Sequence, residues 1–149
     1  MTNRKITENT KVRVINNING SIGFDKADGK REYLRNQGNF KIISVEDLIY
    51  LYSLAPRMLE EGTLLISDKD VVEYLKEHEG FDDSRVIPYT DIDKLLEEAS
   101  EEEFEETLKN TSKEIQREVA EKAKEKKIDS KGKTKIIKEV TNIDIDEVK

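Results

Sequence analysis

The 149-residue chain lacks cysteine and tryptophan altogether and has a single histidine. Without cysteine it cannot form a disulfide, a thiolate metal site or a cysteine nucleophile, and it suits a reducing compartment. His78 is the only histidine, so a two-histidine metal site cannot form. It lies in KEHEG, at an expected helix end, where we interpret it as a surface residue that is not placed for a serine–histidine–aspartate triad. We therefore predict that the protein is not an enzyme and has no catalytic residue, no cofactor and no bound metal.

Long apolar stretches are also missing. No run approaches the roughly 20 apolar residues that cross a bilayer, and the N-terminal sequence MTNRKITENT contains no apolar signal-peptide segment. We expect a soluble protein that is not exported by the usual signal and makes no contact with a membrane.

Charge is abundant, at 40% of the residues, but it is unevenly distributed. Residues 1–44 hold nine basic against four acidic side chains, a net charge of +5. Residues 45–89 and 90–110 each carry a net charge of −7, and residues 111–149 carry +2. A basic front, an acidic middle and a mixed tail predict a protein that meets different partners with different faces.

Residues 11–43 show the alternation of apolar and polar side chains that is typical of strands. Val12 and Val14 fall on one face of the first strand, and Arg13 falls on the other. Asn-Gly and Asp-Gly dipeptides separate these segments, and such pairs favour tight hairpin turns. We therefore predict several short antiparallel strands in this part of the chain.

The stretch Gly20-Ser21-Ile22-Gly23 raises the question of a phosphate-binding glycine loop. KH-type modules use a GxxG loop to clamp the backbone of a bound nucleic acid. Here both flanks alternate like strands, and Gly23 is not followed by the lysine that a Walker loop requires. We interpret these glycines as turn residues.

From Ser44 onwards the apolar residues recur at helical spacing, behind a series of N-terminal capping signals. These signals are SVED (44–47), SDKD (67–70), TDID (90–93), SEEE (100–103) and TSKE (111–114), with a last helix start near Ser130. We expect Pro56 and Gly80 to end the first two helices, and Asn142 to take a left-handed turn after the last one. Residues 64–66 are expected to return to the sheet as a short strand.

Together these patterns predict an α+β fold. It would consist of a small N-terminal antiparallel β meander or partial barrel with one or two helices, followed by a compact all-helical module. The expected boundaries are a flexible arm at residues 1–10, the β-rich module at 11–87 and a four-helix module at 88–149.

Two charged runs in the C-terminal half have a simple structural explanation. The run EEASEEEFEE (97–106) interleaves glutamates with apolar residues, as two solvated helix faces do. Residues 122–138 hold eight lysines against two acidic residues, without an aromatic or arginine side chain to contact bases. We favour a solvated helix face for this basic run, with phosphates or an acidic protein surface as the alternative contact.

The basic N-terminal segment supplies the candidate partner-binding residues. Arg13, Arg31 and Arg35 provide its guanidinium groups. Phe24 and Tyr33 are the aromatic side chains that would anchor a protein partner. The same set is also the best candidate for binding nucleic acid, although the acidic middle of the chain would repel phosphates.

The order and spacing of the segments resemble a family of small, largely uncharacterised proteins of tailed bacteriophages. The resemblance rests on KVRVINNINGSIGF, REYLRNQGNFKIISVEDLIYL, PRMLEEGTLLISDKDVVEYL and the helical stretch that follows from Tyr89. Two departures are KNTSKE, where the family has a turn of a small residue and proline, and Asn142, where it has glycine. The resemblance implies a role in the virion, which is assembled in the host cytoplasm, and it implies no catalytic residues.

Three functions remain open on this basis. The first is a capsid- or head-associated structural protein that binds the major capsid protein or another virion protein. The second is a nucleic-acid-binding accessory protein that uses the basic N-terminal sheet. The third is a phage-encoded inhibitor of a host protein, in which the Glu-rich helices imitate a polyanion. We favour the first, because it needs no catalytic group and uses the uneven charge for docking.

Overall fold

The computed structural model describes residues 5–128 and 130–143, which form five strands and seven helices. In chain order these are β1 (Lys11–Asn16), β2 (Ile22–Asp25), β3 (Arg31–Leu34), β4 (Phe40–Ser44), α1 (Val45–Leu54), α2 (Pro56–Glu60), β5 (Leu64–Ile66), α3 (Lys69–Glu79), α4 (Tyr89–Glu97), α5 (Glu101–Asn110), α6 (Lys113–Lys126) and α7 (Lys131–Thr141). The N-terminal antiparallel strands are followed by C-terminal helices, so the predicted α+β class is confirmed.

β1 is the central strand of a three-stranded antiparallel sheet with the order β4-β1-β5, and β2 and β3 form a separate hairpin. Val12 lies opposite Ile43, and both side chains are buried. In the alternate positions, Ile15 lies between Phe40 of β4 and Leu65 of β5. One face of the sheet therefore covers a core, and the other face is open to solvent.

The strands do not pair in chain order, as those of a simple meander would, because β1 pairs with β4 and β5 rather than with β2. The buried Asn16 explains how the β2–β3 hairpin is held against β1, although no backbone hydrogen-bond ladder joins them. Its side-chain amide donates hydrogen bonds to the carbonyl oxygens of Gly20 (2.6 Å) and Leu34 (3.1 Å). The β2–β3 hairpin is thus fixed to the end of β1 by a side chain.

Buried apolar side chains form two separate clusters. The first is built from the strands and helices α1 to α3, and it ends at Phe81. The second is built from α4 to α7, and it begins at Ile92. The predicted boundary between residues 87 and 88 lies in the stretch between them. Among the described residues, no helix combines the length and apolar character that crossing a membrane requires.

Most of the predicted helix ends are confirmed. Ser44, Ser100 and Ser130 each accept a hydrogen bond from the backbone N–H three residues later. Gly80 and Asn142 are both in the left-handed conformation at the ends of α3 and α7. These features are local in sequence, which is why the capping patterns predict them.

Two helices begin one residue later than their capping signals predict. Asp68 caps α3 in place of Ser67, and Ser112 caps α6 in place of Thr111. In both cases the residue expected to cap the helix forms a hydrogen bond with another part of the chain. The Ser67 amide is still bonded to the sheet, and the Thr111 hydroxyl donates to the carbonyl oxygen of Arg85.

The start of α4 differs from its prediction because a residue far away in the sequence supplies the cap. Thr90, the expected cap, lies inside the first turn. The N–H of Tyr89 instead donates to Oδ1 of Asn17 at 2.6 Å. The amide nitrogen of Asn17 donates to the carbonyl oxygens of Gly62 (2.8 Å) and Ile87 (2.9 Å). The side chain of Asn17, the residue that follows β1, therefore caps a helix of the second module.

Residues 5–10, the described part of the segment predicted to be a flexible arm (residues 1–10), are bonded to the start of α1. The Val45 N–H donates to the carbonyl oxygen of Thr10 (2.8 Å), and the Glu46 N–H donates to that of Glu8 (3.0 Å). The first amides of a helix have no partner within the helix. The N-terminal segment satisfies two of them for α1 and is held in place by doing so.

Polar side chains join the two modules. Oε1 of Glu118, in α6, accepts hydrogen bonds from the Asn19 N–H and from Nε2 of Gln37, both at 2.9 Å. The Ser112 hydroxyl donates to the carbonyl oxygen of Glu61 at 2.6 Å. Ser112 and Glu118 are both buried. The helical module is therefore attached to the sheet module by specific hydrogen bonds.

Candidate docking face

The open face of the sheet exposes large apolar side chains. Phe40 and Ile42, both in β4, are 47% and 60% exposed. They point to the same side because residues two apart in a strand share a face. In the register of the sheet, Ile42 lies opposite Arg13 of β1. The alternation that buries the core thus leaves apolar and cationic groups together on the outer side.

Arg13 is held against Phe40. The guanidinium carbon lies 4.1 Å from the centroid of the Phe40 ring, within the range of a cation–π contact. This contact orders the long Arg13 side chain at the surface without neutralising its charge. A cation that is already ordered loses less side-chain entropy when a partner binds.

The hairpin adds a second aromatic residue beside an arginine. Tyr33 is 59% exposed, and the Arg31 guanidinium lies 5.6 Å from the centroid of its ring. Gly23, on β2, faces these two side chains. A Cβ atom at this position would lie 3.1 Å from Nε of Arg31 and from Cδ1 of Tyr33. Gly23 is therefore a strand residue that leaves room for them, which corrects its interpretation as a turn residue.

A depression of about 460 Å³ connects the hairpin to β4. Tyr33 and Arg35 line one side of it, and Phe40 and Lys41 line the other. Arg35 is exposed at the end of β3. The depression brings the two aromatic rings and two further cationic side chains into one surface.

The cations of this surface differ in how far they are neutralised. Arg31 donates a hydrogen bond to Asp25 at 2.9 Å, and this bond raises the pKa of the guanidinium. Lys41 lies 4.0 Å from Glu32. Arg13 and Arg35 form no ion pair with any residue in the described part of the chain. Their charges are available to a partner of opposite sign.

Four of the five predicted partner-binding residues lie on one surface, which we call the basic face. It consists of Arg13, Arg31, Tyr33, Arg35, Phe40 and Ile42. Phe24 does not belong to it. Phe24 is 2% exposed and packs in the first core, because it falls on the face of β2 that turns inward. The prediction that Phe24 anchors a partner is therefore wrong.

The sequence interpretation missed Phe40 and Ile42, although it predicted their strand. An apolar residue in an alternating strand is usually assigned to the core. The signal that distinguishes them is the register, since Ile42 lies opposite the exposed Arg13 and Phe40 shares its side of β4. A single sequence does not reveal that register. The β2–β3 hairpin lies between β1 and β4 in the chain, so no short turn fixes how the two strands align.

In the part of the chain that the structure describes, neither the single histidine nor the acidic side chains form a metal site. The ring of His78 packs against that of Tyr74 on α3, with the centroids 4.2 Å apart. Within residues 5–128 and 130–143, no three histidine, aspartate or glutamate side chains converge as metal ligands would. The basic face is therefore the candidate site that the described residues offer.

Comparison with known proteins gives no assignment. No family model, no curated protein and no solved structure matches the chain. The functional interpretation therefore rests on the residues and their arrangement.

Proposed function

We propose that the protein is a non-enzymatic interaction protein of a tailed-phage particle, and that it binds a capsid or other head protein through the basic face. The observation that supports this most is the grouping of Tyr33, Phe40 and Ile42, each about half exposed, with Arg13 against Phe40 and Arg35 beside Tyr33 in the depression. Buried aromatic and arginine side chains dominate the binding energy of protein interfaces. The phage context comes from the resemblance of the sequence.

The arginine side chains are held in place by their neighbours, and this supports a specific interface rather than non-specific electrostatic attraction. Arg13 rests on Phe40, and Arg31 is bonded to Asp25. A preordered surface binds with a smaller entropy loss, and its apolar centre makes the complex less sensitive to salt. An acidic, partly apolar patch on the partner would complement it.

A second function is favoured by one specific feature. The two exposed rings each lie beside a guanidinium group, as in surfaces that stack the bases of single-stranded nucleic acid. Binding of this kind would weaken steeply with salt, because it releases counterions from the phosphates. The two functions can therefore be distinguished in one experiment.

The test is co-sedimentation of the purified protein with intact and empty particles of the parent phage, at low and high salt. The double variant Tyr33→Ala/Phe40→Ala should lose at least about tenfold in affinity, because each truncated anchor costs about 1–2 kcal/mol. The matched control is Tyr50→Ala/Leu54→Ala, which removes an exposed aromatic and an exposed leucine from α1. The control should bind like the wild type.

Saturable binding that persists at high salt and depends on Tyr33 and Phe40 is the expected result. Absence of binding to either kind of particle would refute the proposal. If the same variants instead lose salt-sensitive binding to a single-stranded oligonucleotide, the second function is the correct one.

A further inference from the structure

A depression on the helical module, between α4 and α5, has an apolar floor. Its volume is about 390 Å³, and its apolar lining comes from Ile87, Leu95 and Ala99. These three residues are only partly buried in the structure. The side chain of a partner could therefore pack against them.

Acidic side chains line the same depression. Asp91, Glu98 and Glu103 contribute three carboxylates, against the single cation of Lys94. All four residues are exposed. In the part of the chain that the structure describes, none of the four forms an ion pair, and Glu103 accepts only a hydrogen bond from the Ser100 hydroxyl. We call this surface the acidic depression, because its excess negative charge is not neutralised by an ion pair.

The neighbouring lysines neutralise other acids instead. Lys126 of α6 lies 3.5 Å from Asp93 and 3.0 Å from Glu97, and Lys109 lies 3.0 Å from Glu105. These pairs use acids that do not line the depression. The strong negative charge of residues 90–110 therefore remains available there to a partner of opposite sign.

The basic face has the complementary properties. Tyr33 and Phe40 are exposed aromatic side chains, and Arg13 and Arg35 are cations without an ion pair among the described residues. Aromatic anchors suit a depression with an apolar floor, and unpaired cations suit its unpaired carboxylates. The two surfaces of this chain thus match each other both in apolar character and in charge.

The two surfaces do not meet within one molecule. The basic face belongs to the sheet module and the acidic depression to the helical module. Hydrogen bonds of the buried Asn17 and Glu118 hold these modules in a fixed arrangement. Among the described residues, no hydrogen bond or ion pair joins one surface to the other. Each molecule therefore presents both halves of a contact that a second copy would complete.

We propose that the basic face of one copy binds the acidic depression of another copy. The rings of Tyr33 and Phe40 pack on the apolar floor, and Arg13 and Arg35 pair with its carboxylates. The proposal uses the basic face but does not rest on the binding of a phage particle. A head protein that binds the same face would compete with the second copy.

Sedimentation equilibrium of the purified full-length protein, without particles, measures this self-association. At low salt, the weight-average mass of the wild type should rise with concentration above the 17.2 kDa of one chain. High salt should lower that mass, because dissolved ions screen the charges at the edge of the contact.

Two variants each remove the charges of one surface. Arg13→Gln/Arg35→Gln neutralises the basic face, and Asp91→Asn/Glu98→Gln neutralises the acidic depression. All four positions are exposed, and the amide side chains are similar in size to those they replace. Each variant should associate with itself at least about tenfold more weakly than the wild type does, because the charges of its partner surface lose their counterparts.

Mixing the two variants restores one complete contact. The first variant keeps the acidic depression, and the second keeps the basic face. The mixture should form a one-to-one complex that is at least about tenfold tighter than the self-association of either variant. Sedimentation velocity with one variant fluorescently labelled measures this complex. Contact of the basic face with any other surface would give no such recovery.

Two control variants make the same changes in net charge at other positions. Lys124→Gln/Lys131→Gln and Glu77→Gln/Glu125→Gln alter exposed helix residues that belong to neither surface. Both controls should associate like the wild type.

Three results would each overturn the proposal: a wild-type protein that is monomeric across the concentration series, controls as weak as the two variants, or a mixture without recovery. A monomeric protein would leave both surfaces to partners of other kinds. It would not decide the binding of phage particles, which is measured with the particles present.

Discussion

Asn17 is the residue on which the junction between the modules most depends. It is fully buried, and its side chain bonds to backbone groups of Gly62, Ile87 and Tyr89. No other residue type of similar size supplies one acceptor and two donors in this geometry. Aspartate would place acceptors against two carbonyl oxygens.

We expect Asn17→Ala to lower the free energy of unfolding by about 3 kcal/mol or more, because each unpaired buried group costs about 1–3 kcal/mol. Asn17→Asp should be at least as damaging. Urea unfolding measures both. The control is Asn36→Ala at an exposed position, which should change stability by less than about 0.5 kcal/mol. An Asn17→Ala variant as stable as this control would contradict the role of the side chain.

Glu118 is another polar residue at the junction, and its environment perturbs its ionisation. Desolvation raises the pKa of the Glu118 carboxyl, and the nearby charges of Glu121 and Glu114 act in the same direction. The hydrogen bonds from Asn19 and Gln37 oppose the shift. The net result is a carboxyl group that holds its proton more strongly in the folded protein than in the unfolded chain.

The direction of this shift sets a pH dependence. Between the usual glutamate pKa, about 4.3, and the raised value, the folded protein binds more protons, so stability falls as pH rises. Glu118→Gln removes this contribution, while its carbonyl oxygen can still accept both hydrogen bonds. The stability of the variant relative to the wild type should therefore increase from about pH 4 towards neutrality.

Chemical denaturation across this pH range measures the effect, with the exposed Glu139→Gln as the control. A difference between Glu118→Gln and the wild type that does not change with pH would show that the Glu118 pKa is unperturbed. Glu118→Ala should be less stable than Glu118→Gln at every pH, because it leaves the Asn19 N–H without its partner.

At the scale of the elements, the helix starts fall into three kinds of cap. Ser100 is an exposed local cap, whereas Ser112 is buried and also donates to the carbonyl oxygen of Glu61. Thr90 matches the capping pattern but caps nothing, since Asn17 takes its place. The same N-terminal capping pattern therefore contributes a different amount to the free energy of unfolding at each of these three helices.

Alanine substitutions should rank in that order. Thr90→Ala is expected to be nearly neutral, Ser100→Ala to cost about 1 kcal/mol, and Ser112→Ala to cost about 2 kcal/mol or more because the partly buried carbonyl of Glu61 also loses its donor. Thermal unfolding of the three variants measures the ranking. A cost at Thr90 equal to that at Ser100 would show that the TDID signal caps α4 after all.

These helices also show what the sequence could and could not predict. Periodicity and capping predicted the start of every helix from α3 to α7 to within about two residues, because both depend on neighbours within one turn. The pairing of β1 with β5 and the Asn17 cap of Tyr89 could not be predicted. They join residues about fifty or more positions apart, and a single chain carries no pattern that marks such partners.

The same distinction applies to the basic face. Arg13, Arg31, Tyr33 and Arg35 were predicted from composition, since charged and aromatic residues in short strands are usually exposed. Phe24 was misassigned and Phe40 missed for one reason. Both are phenylalanines in alternating strands, and only the pairing of the strands decides which of them turns inward.

At the scale of the whole molecule, two apolar cores are joined by polar contacts. The first core contains Leu59 and the second contains Leu108, both almost completely buried. The caps of α4 and α6 use groups that belong to the first module or bond to it. Loss of either core should therefore remove hydrogen bonds on which the other depends.

We expect the two cores to unfold together. Leu108→Ala should lower stability by about 2–5 kcal/mol through the cavity it leaves. All five tyrosines lie between residues 33 and 89, so their fluorescence reports mainly on the first module, and far-ultraviolet circular dichroism reports on the helices. Both signals should shift to the same lower midpoint. Leu59→Ala is the reciprocal variant and should do the same.

Separation of the two signals in Leu108→Ala, with tyrosine fluorescence unchanged, would show that the modules unfold independently. In that case the polar junction positions the modules without coupling their stabilities.

The cap of α4 by Asn17 also has a consequence for biosynthesis. The ribosome makes Asn17 seventy-two residues before Tyr89, whose backbone N–H donates a hydrogen bond to the Asn17 side chain. The part of the chain that contains the first core is therefore synthesised before the helices that dock on it. When α4 emerges, the acceptor for its first amide already exists, and the nascent sheet can serve as the surface on which the helical module assembles.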